Sequence, residues 1–212
     1  MNFKPFNPDG ETRKFRNHLP HWRQEDVTYF VTTRLADSIP QGTLRAWQQE
    51  RDTWLRVHGC AVPADAEKLP EKTRAEFHRR FTAKFHDFLD AGDGACPLRD
   101  PENARIVGDA LRFFEGDLYG LGDFVVMPNH LHVLVAPAAG HELSGILQSW
   151  KRFTAREINK RLGQTGTLWR AESFNHIVRS EEQFARFRRY IADNPVKARL
   201  RDGEFLHWRA PE

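Results

Sequence analysis

The chain has 212 residues, 40% of them hydrophobic, and a formal net charge of +3. This length and apolar content can bury one substantial core, so we expect a single main domain. Its two cysteines, Cys60 and Cys96, are too few for a disulfide framework or a cysteine-rich zinc site, which favours a reducing compartment. No apolar run approaches bilayer-spanning length and the N-terminus lacks a signal-peptide core, so we expect a soluble, cytoplasmic protein without membrane contact.

Basic residues are concentrated near the C-terminus. Residues 145–201 contain 13 lysines and arginines against 5 aspartates and glutamates. An excess of this size is typical of a surface that binds a polyanion. A solvated basic helix face has the same composition, so charge alone does not identify the partner.

The first half of the chain is predicted to contain an arm, one strand and three helices. Prolines and a glycine predict that residues 1–22 form an irregular arm. Residues 27–35 are rich in β-branched and aromatic residues, as strands are. Apolar residues at helical intervals predict helices over 42–57 and about 71–91, and a third helix ends at Gly116. The second of these helices carries a stripe of core phenylalanines: Phe77, Phe81, Phe85 and Phe88.

The second half alternates strands with helices. Two apolar runs, 118–128 and 130–137, are separated by Pro128 and Asn129, and we interpret them as adjacent antiparallel strands. A helix from about 142 to 162, capped by Gly163, and a short strand at 173–178 follow. The apolar side of that helix comprises Leu143, Ile146, Leu147, Trp150, Phe153 and Ile158.

The last helix has a recognisable start and end. Ser180 and Gln183 fit a capping box, and two glutamates occupy the first turn. Pro195 predicts an end at Asn194, because a proline disfavours helical geometry in the residue before it.

This element order predicts an α+β fold in which helices pack on an antiparallel sheet. We divide the chain into an N-terminal arm (1–22), one main domain (23–201) and a C-terminal tail (202–212). Within the main domain, residues 42–100 are a helical elaboration to which the sequence assigns no role.

A His-x-His pattern opens the second strand of the central pair. Side chains alternate along a strand, so His130 and His132 share one face while Leu131, Val133 and Val135 point to the other. Two imidazoles on a rigid strand provide half of a metal site. Two hydrogen-bonded histidines on a half-exposed sheet would show the same pattern, and a metal site needs a further ligand.

The last helix offers a polar pair to complete such a site. Tyr190 and Asn194 are four residues apart and therefore lie on one helical face. The adjacent stripe of Phe184, Phe187 and Ile191 would pack on the sheet. In isolation, Tyr190 is better explained as an amphipathic residue at the edge of the core.

Several separated runs occur in a fixed order: HLPHW, YFVTTRLADSIP, VVMPNHLHVLV, LWRAESFNHIVRSEEQF and YIADNPVKARL. In this order they resemble the REP-associated tyrosine transposases, single-tyrosine relatives of insertion-sequence transposases in the HUH superfamily. The resemblance covers about residues 18–201. It implies a ferredoxin-like or RRM-like HUH nuclease fold, with metal-binding histidines at His130 and His132. It also implies a nucleophile at Tyr190 and a polar residue completing the metal site at Asn194.

The resemblance further implies a metal-dependent DNA endonuclease and strand transferase. Its substrate would be single-stranded hairpin DNA from repetitive extragenic palindromes, cleaved through a 5′-phosphotyrosine. A manganese or magnesium ion suits a site with few imidazole ligands. Members of this family are monomers or homodimers, and binding to chromosomal DNA would place the protein at the nucleoid. The cations that we expect to contact phosphates are Arg152, Arg156, Lys160, Arg186, Arg188 and Arg189.

Two other functions remain open on the sequence. A metal-dependent phosphodiesterase could use an activated water, with Tyr190 structural, and a hairpin-binding protein could lack catalysis altogether. The chain also departs from the family in two places. Arg199 stands where the family usually turns on a glycine, and residues 42–100 are longer than a minimal member needs.

Overall fold

The computed structural model describes residues 3–6, 13–16, 20–24 and 26–211. Within these residues a five-stranded sheet has the order β6-β3-β5-β4-β7, and every neighbouring pair is antiparallel. The strands are β1 (Arg13–Arg16), β2 (Pro20–Arg23), β3 (Tyr29–Arg34), β4 (Tyr119–Val126), β5 (His130–Pro137), β6 (Phe174–Ile177) and β7 (Leu206–Trp208). The α-helices are α1 (Gln41–Val57), α2 (Glu71–Phe77), α3 (Lys84–Asp90), α4 (Pro101–Arg112), α5 (Leu143–Leu162) and α6 (Glu181–Lys197). The predicted α+β fold is confirmed.

One face of the sheet forms the larger core. It buries Val31, Val133 and Phe124 together with apolar residues of α4 and α5. Tyr119 ties the layers together, because its hydroxyl donates to the carbonyl of Leu111 on α4 and accepts from the indole of Trp150 on α5, both at 2.9 Å. Leu131, Val133 and Val135 all lie in this core, as the strand alternation predicted.

The opposite face is covered by α6. Phe30, Val125 and Leu134 pack there against Ile191 and the half-buried Phe187. The rings of Phe30 and Phe187 stack with centroids 4.2 Å apart. His130 and His132 belong to this second face, so α6 is packed beside them.

Helices α1 to α3 have an apolar cluster of their own. Trp47, Trp54, Phe77 and Phe81 are buried in it. The helix predicted over 71–91 is present, but a π-helical turn over His78–Ala83 interrupts it. A π turn contains more residues than an α turn, so it rotates the following residues about the helix axis, and such turns are frequent at functional sites. Here α3 is the segment that follows.

The N-terminal segment is more regular than predicted. β1 and β2 pair antiparallel within the stretch that we expected to be irregular, and that expectation was wrong for these residues. Nearby, the backbone of Lys4 donates to the Thr28 hydroxyl at 3.0 Å and accepts from the Thr28 amide at 2.9 Å. Residues 1–2, 7–12 and 17–19 of the predicted arm lie outside the described residues.

Two details of the predicted helices were wrong. Phe153 is 44% exposed, and Thr154 is buried in its place. Thr154 fits this position because its hydroxyl donates to the Trp150 carbonyl at 2.7 Å and accepts from the Trp169 indole at 2.8 Å. Helix α6 does not end at Asn194 but continues through Pro195 to Lys197.

The chain then turns at Arg199. Its φ of 55° is left-handed, so an arginine adopts the turn for which the family usually has a glycine. This costs on the order of 1 kcal/mol. The turn leads to β7, a strand of three residues that lies within the predicted tail. This strand pairs with β4 and extends the sheet. Among the described residues, no helix is long and apolar enough to cross a membrane.

Candidate metal and nucleophile site

The two histidines of β5 point their Nε2 atoms at each other across 3.1 Å. Both residues are essentially inaccessible to solvent. Two nitrogens bound to one metal at about 2.0–2.1 Å are separated by about 2.9–3.4 Å. The observed spacing therefore fits two ligands of one cation with little rearrangement.

Hydrogen bonds hold the Nδ1 atoms of both rings, which are the nitrogens that point away from the pair. The Nδ1 of His130 lies 2.8 Å from the Oδ1 of Asn129, and the Nδ1 of His132 lies 2.8 Å from the Oγ1 of Thr32. The amide group of Asn129 donates to the carbonyl of Asp93, so its oxygen faces His130 and the Nδ1 of His130 carries the proton. The Nε2 of His130 therefore presents a lone pair to the site. Hydrogen bonds of this kind orient imidazole ligands of metals.

Both imidazoles are neutral in this environment. Burial, with the neighbouring His86 adding to it, lowers the pKa of His130 to about 3. Burial and the two nearby imidazoles lower the pKa of His132 well below its ordinary value. Metal binding needs the neutral form, so the pair is already in the protonation state that a cation requires.

The predicted nucleophile lies beside this pair in the same chain. The ring centroids of Tyr190 and His132 are 5.1 Å apart, and the ring of Phe30 contacts the Tyr190 ring edge-on at 5.8 Å. The ammonium of Lys197 lies 5.0 Å from the centre of the Tyr190 ring. The Tyr190 hydroxyl is shielded from solvent without a hydrogen-bond partner in the structure. Burial, reinforced by Asp90, raises its pKa above the ordinary value, so the hydroxyl is protonated at neutral pH.

Asn194 lies one turn further along α6 and is fully buried. Both its amide oxygen and its amide nitrogen lack a partner of hydrogen-bonding geometry. The amide lies close enough to Tyr190 and Asp90 to lower the pKa of each. A buried amide without partners is costly unless it has a ligand, so Asn194 fits a role at a metal site.

Helix α3 adds two side chains that the sequence did not predict. The ring of His86 lies 5.6 Å from that of His132 and 5.5 Å from that of Tyr190. The Oδ1 of Asp90 lies 3.7 Å from the Nε2 of His130. His86 and Asp90 are four residues apart and share a helical face, a signal that the sequence contained but that the phenylalanine stripe obscured.

The metal-ligand set is therefore incomplete as it stands. Among the described residues, no three His, Cys, Asp or Glu side chains converge closely enough to hold a metal ion. The His pair fits a cation by its spacing and protonation, and the orphaned amide of Asn194 fits by its chemistry.

The predicted phosphate contacts fall on two different helices. Arg152, Arg156 and Lys160 are exposed on α5, whereas Arg186 and Arg189 are exposed on α6. These helices pack on opposite faces of the sheet, so the five cations do not form one patch. On the α5 side, a groove of about 650 Å³ runs between that helix and residues 166–173, with Arg152 and Arg170 among its lining.

Arg188 differs from its neighbours. Its Nε donates to the Oδ2 of Asp123 at 2.9 Å, and the other oxygen of this buried carboxylate accepts from the backbone of Ala210 at 3.0 Å. Asp123 lies where the register of β4 against β5 shifts. The guanidinium therefore neutralises a buried charge at a bulge, which is a structural role.

Residues 113–194 match a family described as "Transposase IS200 like". This segment is less than half of the chain and contains His130, His132, Tyr190 and Asn194. The predicted resemblance is confirmed over these residues. A solved structure described as a REP-associated tyrosine transposase bound to a REP hairpin is similar over 80% of this chain and 67% of that chain, with 16% identity and a TM-score of 0.39. No curated protein matches the chain.

Proposed function

We propose that this protein is a metal-dependent endonuclease and strand transferase for single-stranded DNA, in which Tyr190 is the nucleophile. The observation that carries the proposal is the position of Tyr190 beside the His130–His132 pair in one chain. The ring centroids of Tyr190 and His132 are 5.1 Å apart, and those of His132 and His130 are 4.7 Å apart. The match of residues 113–194 to IS200-like transposases supports the same reaction class.

The residues that would hold a divalent cation are His130, His132 and Asn194. When bound, a manganese or magnesium ion would supply positive charge and polarisation at the scissile phosphate. Thr32 and Asn129 fix the rings so that both Nε2 atoms face one point.

Tyr190 performs the covalent step. Its Oη attacks phosphorus, a phenolic O–P bond forms, and the bond from phosphorus to the 3′-oxygen breaks. The phenol loses its proton and the departing 3′-oxygen gains one, so the products are a 5′-phosphotyrosine and a free 3′-hydroxyl. The linkage retains the energy of the phosphodiester, and attack by another 3′-hydroxyl rejoins the strand and releases Tyr190. An ordinary nuclease attacks with water and forms no covalent link to the DNA, so it does not rejoin the strand.

The surroundings of Tyr190 explain why it stays inactive without substrate. Burial keeps the hydroxyl protonated, and the Phe30 and His132 rings hold its position. Since the ring lies beside the histidines of its own chain, one molecule contains both the proposed nucleophile and the proposed histidine ligands. A monomer is therefore sufficient for cleavage.

Within single-stranded DNA, the substrate that we propose is a hairpin of a repetitive extragenic palindrome, as the motif resemblance implies. Cations on α5 and α6 lie on opposite sides of the sheet, so a folded hairpin with a flanking single strand could contact both sets. Each phosphate contact contributes to affinity and to its salt dependence.

Cleavage of labelled oligonucleotides tests this proposal. Single strands carrying a hairpin and a flanking tail should be cut in the presence of Mn²⁺, and Tyr190→Phe should lose at least about 10³-fold in rate while still binding the DNA. If Tyr190→Phe cleaves at the wild-type rate, the reaction uses an activated water instead. Chelator-insensitive binding without cleavage under any divalent metal would identify a binding protein.

A further inference from the structure

Helix α3 brings two partnerless polar atoms to the His pair. The Nε2 of His86 and the Oδ1 of Asp90 are both shielded from solvent and lack hydrogen bonds in the structure. Asn194, on the opposite helix α6, has two more such atoms and is fully buried. Buried polar groups normally have partners, so a concentration of unsatisfied atoms around one point indicates a missing ligand.

The ligand that this arrangement favours is a cation. The Oδ1 of Asp90 faces the Nε2 of His130 at 3.7 Å, and that nitrogen presents a lone pair because its Nδ1–H is bound to Asn129. The Nε2 of His132 lies 3.1 Å from the same nitrogen. The His130 nitrogen and the Asp90 oxygen thus face each other without a hydrogen-bond donor between them, with the Nε2 of His132 beside them.

The position of Asp90 in its own helix supports this reading. Asp90 ends α3, where the backbone carbonyls disfavour a carboxylate. The ammonium of Lys197, which acts on Asp90 from α6, lies over the Tyr190 ring and makes no ion pair with Asp90 among the described residues. Among the described residues, no lysine or arginine therefore pairs with the Asp90 carboxylate, and its nearest polar neighbours are His130 and the Asn194 amide.

We propose that Asp90 is a further protein ligand of the divalent cation that His130, His132 and Asn194 would hold, so that helix α3 is part of the metal site. This inference rests on the proposed function and extends it to a residue outside the matched segment 113–194. Two imidazoles and a carboxylate form a ligand set that suits manganese and magnesium better than two imidazoles alone.

The proposal also assigns a purpose to the helical elaboration. The cluster of Trp54, Phe77 and Phe81 fixes α2 and the π turn, and α3 extends from that turn. The aromatic contact of His86 with His132 places α3 against the sheet. Helices α1 to α3 thereby position a ligand rather than only adding core.

Calorimetric titration with Mn²⁺ tests the proposal without measuring activity. Asp90→Asn should weaken Mn²⁺ affinity at least about tenfold, since outer partners of metal ligands alone contribute 10- to 100-fold. Asp87→Asn is the matched control, because Asp87 is an exposed aspartate on the same helix. The Mn²⁺ affinity of this variant should differ from that of the wild type by less than about twofold. Thermal unfolding without metal should show that Asp90→Asn is at least as stable as the wild type, because a buried carboxylate has been removed.

A thiolate variant provides a second readout. Asp90→Cys should shift the preference of the site from Mn²⁺ towards Cd²⁺, because soft ligands select soft metals. An unchanged Mn²⁺ affinity in Asp90→Asn, together with loss of binding in His132→Gln, would overturn the role of Asp90 and leave the proposed function standing. Unchanged binding in both His130→Gln and His132→Gln would overturn the metal site itself.

Discussion

The ring of Tyr190 lies 5.1 Å from the ring of His132 within one chain. Helix α6 packs on the face of the sheet that carries the His132 side chain, so the packing of this core sets the proximity. The proposed nucleophile and the proposed metal ligands therefore lie side by side within one chain.

This cis arrangement predicts the outcome of mixing two inactive variants. A mixture of Tyr190→Phe with His132→Gln should remain inactive, because no molecule contains an intact pair. The measurement is cleavage of a labelled hairpin by the mixture and by each variant alone. Recovery of activity in the mixture would show that partners exchange their tyrosine helices.

The hydrogen bond between Thr32 and His132 predicts an effect on metal affinity for a residue outside the expected ligand set. Thr32→Val removes the hydroxyl that orients the His132 ring at 2.8 Å, and Mn²⁺ affinity should fall by about 10- to 100-fold. Thr33→Val is the matched control, since the Thr33 hydroxyl is buried without a partner in the structure. Calorimetry should show wild-type affinity for Thr33→Val, and equal losses in both variants would mean that strand packing is responsible.

Substitutions of two adjacent arginines on α6 should affect different properties, one the stability of the fold and the other the affinity for DNA. Arg188→Gln leaves the buried Asp123 carboxylate without its guanidinium and should lower the free energy of unfolding by about 2–4 kcal/mol. Arg189→Gln should leave stability within about 0.5 kcal/mol and reduce the salt dependence of DNA affinity by about one phosphate contact. Urea denaturation and fluorescence anisotropy at several salt concentrations measure the two effects. The reverse pattern would mean that Arg188 is the phosphate contact.

His176, a half-buried histidine away from the site, predicts part of the loss of stability in acid. Burial lowers the pKa of His176 to about 4, against the opposing charge of Glu67. An unfolded histidine titrates near 6.5, so between these two values the unfolded chain binds a proton that the folded chain does not. Stability should therefore fall as the pH drops from 6.5 towards 4, by at most about 1.4 kcal/mol per unit from this group.

His176→Asn should make that pH dependence shallower without abolishing it, because His86 and His130 have lowered pKa values as well. Urea denaturation at pH 7, 6 and 5 in the presence of chelator measures the slope. An identical slope in the variant would show that His176 binds its proton equally in both states.

Local patterns were sufficient for the parts of the fold that depend on neighbours in sequence. The alternation at 130–135 correctly placed the histidines and the valines on opposite faces, and Ser180 and Gly163 correctly marked helix boundaries. The side chain of Ser180 accepts from the backbone of Gln183, as the capping box predicted.

Features that depend on distant contacts were missed. The partner of Arg188 is 65 residues away, and only the bulge in β4 turns Asp123 towards it. Strands β1, β2 and β7 have three or four residues each, too few for a periodic signal. The reach of His86 and Asp90 to the His pair depends on a π turn and on how the helical cluster packs, which no local pattern in the phenylalanine stripe specifies.

The most direct test of the central claim is the identity of the residue that becomes attached to DNA. Wild-type protein is incubated with Mn²⁺ and a hairpin oligonucleotide, denatured, treated with nuclease and digested with trypsin. The account predicts that the peptide Tyr190–Lys197 carries the added nucleotide mass on its tyrosine. Attachment to any other residue, or cleavage of the hairpin without an adduct, would contradict it.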